Sequence, residues 1–118
     1  MSRLNLLVIR SSDIDAAAKL YSALGLSFVK HAHGSGPIHY ASESSGSVFE
    51  IYPLSDAQAP TTSTRIGFEV DSVATTVESL LSLGARLVSR PRVSNGYKRA
   101  VIADLDGHKI ELSAASTN

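Results

Sequence analysis

Two glutamates sit in nearly the same surroundings in this chain, Phe49-Glu50-Ile51 and Ile110-Glu111-Leu112. A carboxylate set between apolar strand residues can face a sheltered space, where it can move a proton, ligate a cation or accept hydrogen bonds from a ligand. Arg65 adds a charge that does not titrate, and a guanidinium among carboxylates can balance them without any metal ion. Tyr40, Tyr52 and Tyr97 could line a pocket for a flat or amphipathic molecule, with hydroxyls to orient it. His31-Ala32-His33 puts two imidazoles on one strand face; if Gly34 to Pro37 is a four-residue turn, His39 falls on the other face. Such a pair could chelate a metal, but no third ligand is evident, and solvated rim histidines are the expectation. His108 follows Asp106-Gly107 and is expected to be exposed.

Other chemistries are excluded by type. There is no cysteine, so thiolate nucleophiles, disulfides and cysteine-bound zinc are ruled out. No nucleophile elbow, phosphate loop or dinucleotide fingerprint occurs. Eleven basic residues balance eleven acidic ones for zero formal charge, which argues against nucleic acid as a partner. Arg86, Arg90, Arg92, Lys98 and Arg99 do gather in the second half, as a solvated strand face or rim. No apolar stretch approaches the ~20 residues of a membrane span and no signal-peptide core is visible, so the cytoplasm is expected.

The elements that must position these residues occur twice. Leu4 to Arg10 is an apolar run of strand length, Ser12 caps a helix with Asp15 in its first turn, and Gly25 ends it. Ile14, Ala17, Ala18, Tyr21 and Leu24 form one stripe at helical spacing. Strands follow near 26–33, 37–43 and 47–53, with turns at Gly34–Pro37 and Ser44–Gly46. A Ser/Thr/Ala/Pro-rich linker covers 54–63. The order then repeats: a strand over 64–70, a helix capped by Asp71 with Val73, Val77, Leu80 and Leu81 as its stripe, a stop at Gly84, and strands near 85–90, 97–104 and 108–113. Asp106-Gly107 reads as a tight hairpin, residues 91–97 as a loop, and the Ser-Ala-Ala-Ser-Thr-Asn tail as frayed. Two strand–helix–three-strand modules, about 1–53 and 64–113, make a single α+β domain. One helix covers one face of each sheet, leaving two curled mixed sheets to enclose a cleft with the helices outside.

Strand alternation sorts the faces. Phe49 and Ile51, Ile110 and Leu112, and Ile66, Phe68 and Val70 belong under the helices. Val48, Glu50 and Tyr52, then Lys109, Glu111 and Ser113, then Arg65, Gly67 and Glu69 point the other way. The first strand is apolar on both faces; the repeat matches Leu6 to Arg65 and so assigns Leu4, Leu6 and Val8 to the open side. The candidate centre is therefore Leu6, Glu50, Arg65 and Glu111, with Tyr52, Tyr40 and Tyr97 around it. If the charges are enclosed, loss of Arg65 would cost ~3–5 kcal/mol by stranding the carboxylates.

The two modules, the stretches SDIDAAAKLYSALGL (12–26) and GFEVDSV (67–73), and above all DLDGHKIEL (104–112) resemble the vicinal-oxygen-chelate superfamily. That group includes glyoxalase I, extradiol dioxygenases, and bleomycin- and fosfomycin-resistance proteins. In its metal-using members the ligands come from the first and last strand of each module. The resemblance carries those places onto Leu6, Glu50, Arg65 and Glu111. Leucine has no donor atom, and a guanidinium beside a divalent cation is unfavourable, so no metal and no other cofactor is expected. The resemblance implies a metal-free small-molecule-binding protein of the bleomycin-resistance type, with antibiotic resistance as one role and a homodimer as the assembly. The alternative is a lyase, isomerase or dioxygenase in which Glu50 or Glu111 works with a metal or as acid and base. An interaction module with an empty cleft is a third.

Overall fold

The computed structural model describes residues 1–32 and 34–116; His33, Thr117 and Asn118 lie outside the described residues. The chain forms two compact units, Met1–Thr61 and Thr62–Asn118. Both have the expected strand–helix–three-strand order.

In the first unit, β1 (Leu6–Ser11), α1 (Ile14–Ser22), β2 (Val29–His31), β3 (His39–Ser44) and β4 (Ser47–Pro53) follow in sequence. The sheet order is β1-β4-β3-β2, with β1 parallel to β4 and the other pairs antiparallel. Ile9, Leu20, Tyr21 and Ile51 are fully buried between helix and sheet. The Tyr21 ring meets Phe49 edge-on, with centroids 5.1 Å apart. Burying each large aliphatic side chain contributes about 1.5–3 kcal/mol.

The second unit repeats this with β5 (Arg65–Glu69), α2 (Val73–Ser82), β6 (Arg86–Ser94), β7 (Tyr97–Ala103) and β8 (Lys109–Ala115). Its sheet order is β5-β8-β7-β6, with β5 parallel to β8. Val73, Leu80, Ile102, Ile110 and Leu112 form its core. The repeat is exact in register at one point. Leu6 pairs with Val48, two residues before Glu50, and Arg65 pairs with Lys109, two residues before Glu111.

Several local expectations are corrected. The helix caps are Asp13, whose carboxylate accepts from the Ala16 N–H, and Ser72, whose hydroxyl accepts from the Thr75 N–H; neither Ser12 nor Asp71 is the cap. Both boundaries offer two adjacent capping residues, so residue type alone does not choose between them. In α2, Leu81 is exposed and the buried stripe is Val73, Val77 and Leu80. Gly25 (φ +96°) and Gly84 (φ +101°) end the helical segments in left-handed backbone, as expected.

The 91–97 segment is not a loop. β6 runs on to Ser94 and turns through Asn95-Gly96, both at positive φ, the signature of a two-residue hairpin. Pro91 does not end the strand because β6 is an edge strand whose pairing shifts register twice, between Leu87 and Ser89 and between Ser89 and Arg92. β8 also extends through Ala115 into the expected tail. No helix among the described residues is long and apolar enough to cross a membrane.

Candidate ligand-binding faces

On the first unit's open face, every strand contributes to one row of side chains. The register pairs His31 with His39 across β2 and β3, so their rings stack at 5.4 Å and 25°. His39 in turn stacks on Tyr52 of β4, at 4.2 Å and 6°. The Arg10 guanidinium of β1 lies over the Tyr52 ring at 5.6 Å. A cation over a ring face is favourable, more so when partly desolvated. Glu50 stands beside this row, with Oε2 3.7 Å from Nε2 of His39. That is close enough for charge attraction and too long for a direct hydrogen bond. The side chains of His39 and Glu50 are only 12% and 21% exposed. They line a depression of about 610 Å³ together with Leu6, Val48 and Tyr52.

His39 is the residue the sequence reading misplaced. A four-residue turn over Gly34–Pro37 puts it opposite His31; the connection between β2 and β3 is longer, and the register moves His39 onto the same face. Tyr40 takes the place opposite. Its hydroxyl donates to Asp15 at the start of α1, its ring meets Phe28 edge-on, and Lys30 closes the cluster by pairing with Asp15 at 3.0 Å. Tyr40 is therefore on the helix side, away from the depression. The hydrogen bond from Tyr40 and then the Lys30 ammonium hold the Asp15 carboxyl below the usual aspartate range.

On the second unit's open face, Arg65 Nη2 donates to Glu111 Oε1 at 3.1 Å. The expected pairing of Arg65 with a centre carboxylate is present, but the side chains are 55% and 37% exposed. At that exposure the pair is worth about 0–1 kcal/mol, so the cost reckoned for an enclosed pair does not apply within this unit. Arg65 and Glu111 line a second depression, of about 420 Å³, with Ser89, Arg92 and Arg99. Tyr97 is not among the residues lining it; its ring lies under the Arg99 guanidinium at 5.2 Å.

The Asp104–His108 loop is a further correction. His108 is fully buried, and Asp106-Gly107 is not a two-residue hairpin. Asp104 Oδ1 accepts from the backbone N–H groups of Asp106, Gly107 and His108 at 3.0, 2.9 and 2.9 Å. Its Oδ2 lies 2.9 Å from Nδ1 of His108; a carboxylate has no proton to give, so the ring nitrogen is the donor. Asp104, Asp106 and His108 bring ligand atoms within 4.8 Å of one another, but the Asp104 oxygens are already engaged in this loop. The cluster is a staple that sets the start of β8, and with it the position of Glu111.

Two mixed sheets, each backed by one helix and each carrying a glutamate at the same register position, define the class of paired βαβββ proteins. The sequence matches the model of the Glyoxalase/Bleomycin resistance protein/Dioxygenase superfamily over residues 3–112, and the chain belongs to that family. No curated protein matches it in sequence. Among solved structures it is similar to a glyoxalase family protein from Bacillus cereus (18% identity, 98% of this chain and 95% of that one, TM-score 0.78). It is also similar to an integron cassette protein from V. cholerae (23%, 98% and 97%, 0.70) and to TioX from Micromonospora sp. ML1 (17%, 97% and 99%, 0.72). These likenesses establish the fold.

The family's metal chemistry finds a poor donor set in this chain. Leu6 offers no ligand atom, and the guanidinium of Arg65 already sits against Glu111. The residues at these places do not fit a divalent cation.

Proposed function

We propose that the protein binds a small organic ligand without a metal of its own, in the manner of the bleomycin-resistance members of its family. The observation that supports this reading is the row His31–His39–Tyr52–Arg10 beside Glu50. Rings stacked face to face along the row turn their edges toward the depression, where imidazole nitrogens and the tyrosine hydroxyl can meet polar groups of a small molecule. Glu50, mostly buried and 3.7 Å from its imidazole neighbour, can accept from a donor or cationic group on that molecule. Charge-assisted hydrogen bonds of this kind give both orientation and affinity. The ligand is thus a compound bearing an amine, amidine or similar donor. Capture of a drug is one role for such binding, and the reading expects a cytoplasmic homodimer, which sedimentation analysis would test.

A second reading draws on the same pair. An imidazole and a carboxylate this close can pass a proton between them and a substrate, as a lyase or isomerase would require. Elemental analysis and native mass spectrometry of protein purified from its host separate the readings. Binding without metal predicts a co-purifying organic mass and no stoichiometric divalent ion. One divalent ion per chain, lost when Glu50 is changed to Gln, would overturn the metal-free reading.

A further inference from the structure

The second unit's open face carries a charge arrangement that the ligand platform on the first unit does not use. Arg92 and Arg99 are direct partners across β6 and β7, which puts their Cβ atoms roughly 4.5–5.5 Å apart on one face. Like charges set directly opposite on a sheet are destabilising. The register shift between Ser89 and Arg92 creates the juxtaposition: without it, Pro91 would face Arg99. Bulges re-aim side chains in this way. Among the described residues neither arginine forms an ion pair, and the one carboxylate lining the depression, Glu111, is held by Arg65. Three arginines and one glutamate line the same hollow, a local excess of positive charge in a chain whose formal net charge is zero. Ser89 adds a hydroxyl, and Val101 supplies an apolar floor.

We propose that this hollow is an anion site, in which Arg92 and Arg99 together clamp the carboxylate or phosphate group of a small organic molecule whose apolar part rests on Val101. Two guanidinium forks can engage the oxygens of one such group, and the bound charge relieves the repulsion between them. Carboxylate and phosphate share this chemistry, and the test separates them.

The experiment is an NMR titration of arginine Nε–H signals in the full-length protein, at low and constant ionic strength, with inorganic phosphate in one series and benzoate in another. The expected result is saturable shifts at Arg92 and Arg99, with Arg86 and Arg90 unmoved, in at least one series. Saturation by benzoate alone identifies an organic carboxylate; saturation by phosphate identifies a phosphate group. Arg99→Gln and Arg92→Gln, both at exposed positions and each removing the like-charge contact, should each weaken binding about tenfold. Non-saturating shifts in both series, equal shifts at Arg86, or unchanged affinity in both variants would overturn the proposal. The outcome is independent of the platform on the first unit, whose His39 and Tyr52 signals should not respond to phosphate.

Discussion

Replacing Asp104 with Ala tests the loop that sets β8. The substitution removes the acceptor of three backbone N–H groups and the partner of a fully buried imidazole. The N–H of His108 is buried and has no route to water, so leaving it unpaired costs about 1–3 kcal/mol. The other two N–H groups lie nearer the surface, and each loses about 0.5–1 kcal/mol. The Nδ1–H of His108, left without its carboxylate acceptor, adds about 1 kcal/mol or more. The expected loss is about 4 kcal/mol, a large part of the ~5–15 kcal/mol that holds such a domain together. At about 4 °C per kcal/mol for this chain length, Tm should fall by about 15 °C.

Asp104→Asn is the control. Its amide oxygen can still accept from the backbone and its amide nitrogen can donate to the ring of the other His108 tautomer, so the loss should be only about 1–2 kcal/mol. Urea unfolding followed by circular dichroism measures both. An Asp104→Ala protein within about 1 kcal/mol of the parent would refute the argument.

Three further outcomes follow from the geometry. Gly84→Ala should destabilise by about 1–2 kcal/mol, because the backbone is at φ +101° and a Cβ would stand 3.1 Å from the Leu105 side chain; Leu105→Ala in the same background should recover only the steric part. Arg65→Ala should cost under about 1 kcal/mol in denaturant, since its pair with Glu111 is half exposed. The Asp15 carboxyl should titrate below an ordinary aspartate and move back up in Tyr40→Phe, as read from carboxyl carbon shifts. Because its folded pKa is depressed, the stability it contributes is present above the unfolded value near 3.9. That contribution is lost as pH falls through the lower, folded value.

Much of the architecture was legible because each signal had a local cause. Helical stripes, the stops at Gly25 and Gly84 and the period-two strands fixed both modules, and the repeat assigned the open face of β1 correctly through Leu6 and Arg65. What escaped depended on pairing between strands. The side on which His39 stands is set by the length of the β2–β3 connection, and a one-residue change in register moves every side chain to the other face. Reading residues 91–97 as a loop hid the Asn95-Gly96 hairpin signal, and Pro91 is compatible with a strand there only because β6 is an edge. Asp104 reads as the end of one strand and His108 as an exposed residue opening the next, since nothing in their types reveals that one carboxylate gathers three backbone donors. An Asp four residues before a His, across Asp-Gly, was the available cue.

The most direct measurement of the ligand platform is an NMR titration of the imidazole nitrogens of His31 and His39 with benzamidine, a planar cation suited to Glu50, in protein stripped of divalent ions. The account predicts saturable shifts at His39, weakened about tenfold in Glu50→Gln and lost in Tyr52→Ala. Shifts that arise only after a divalent ion is added, or that survive both substitutions unchanged, would contradict it.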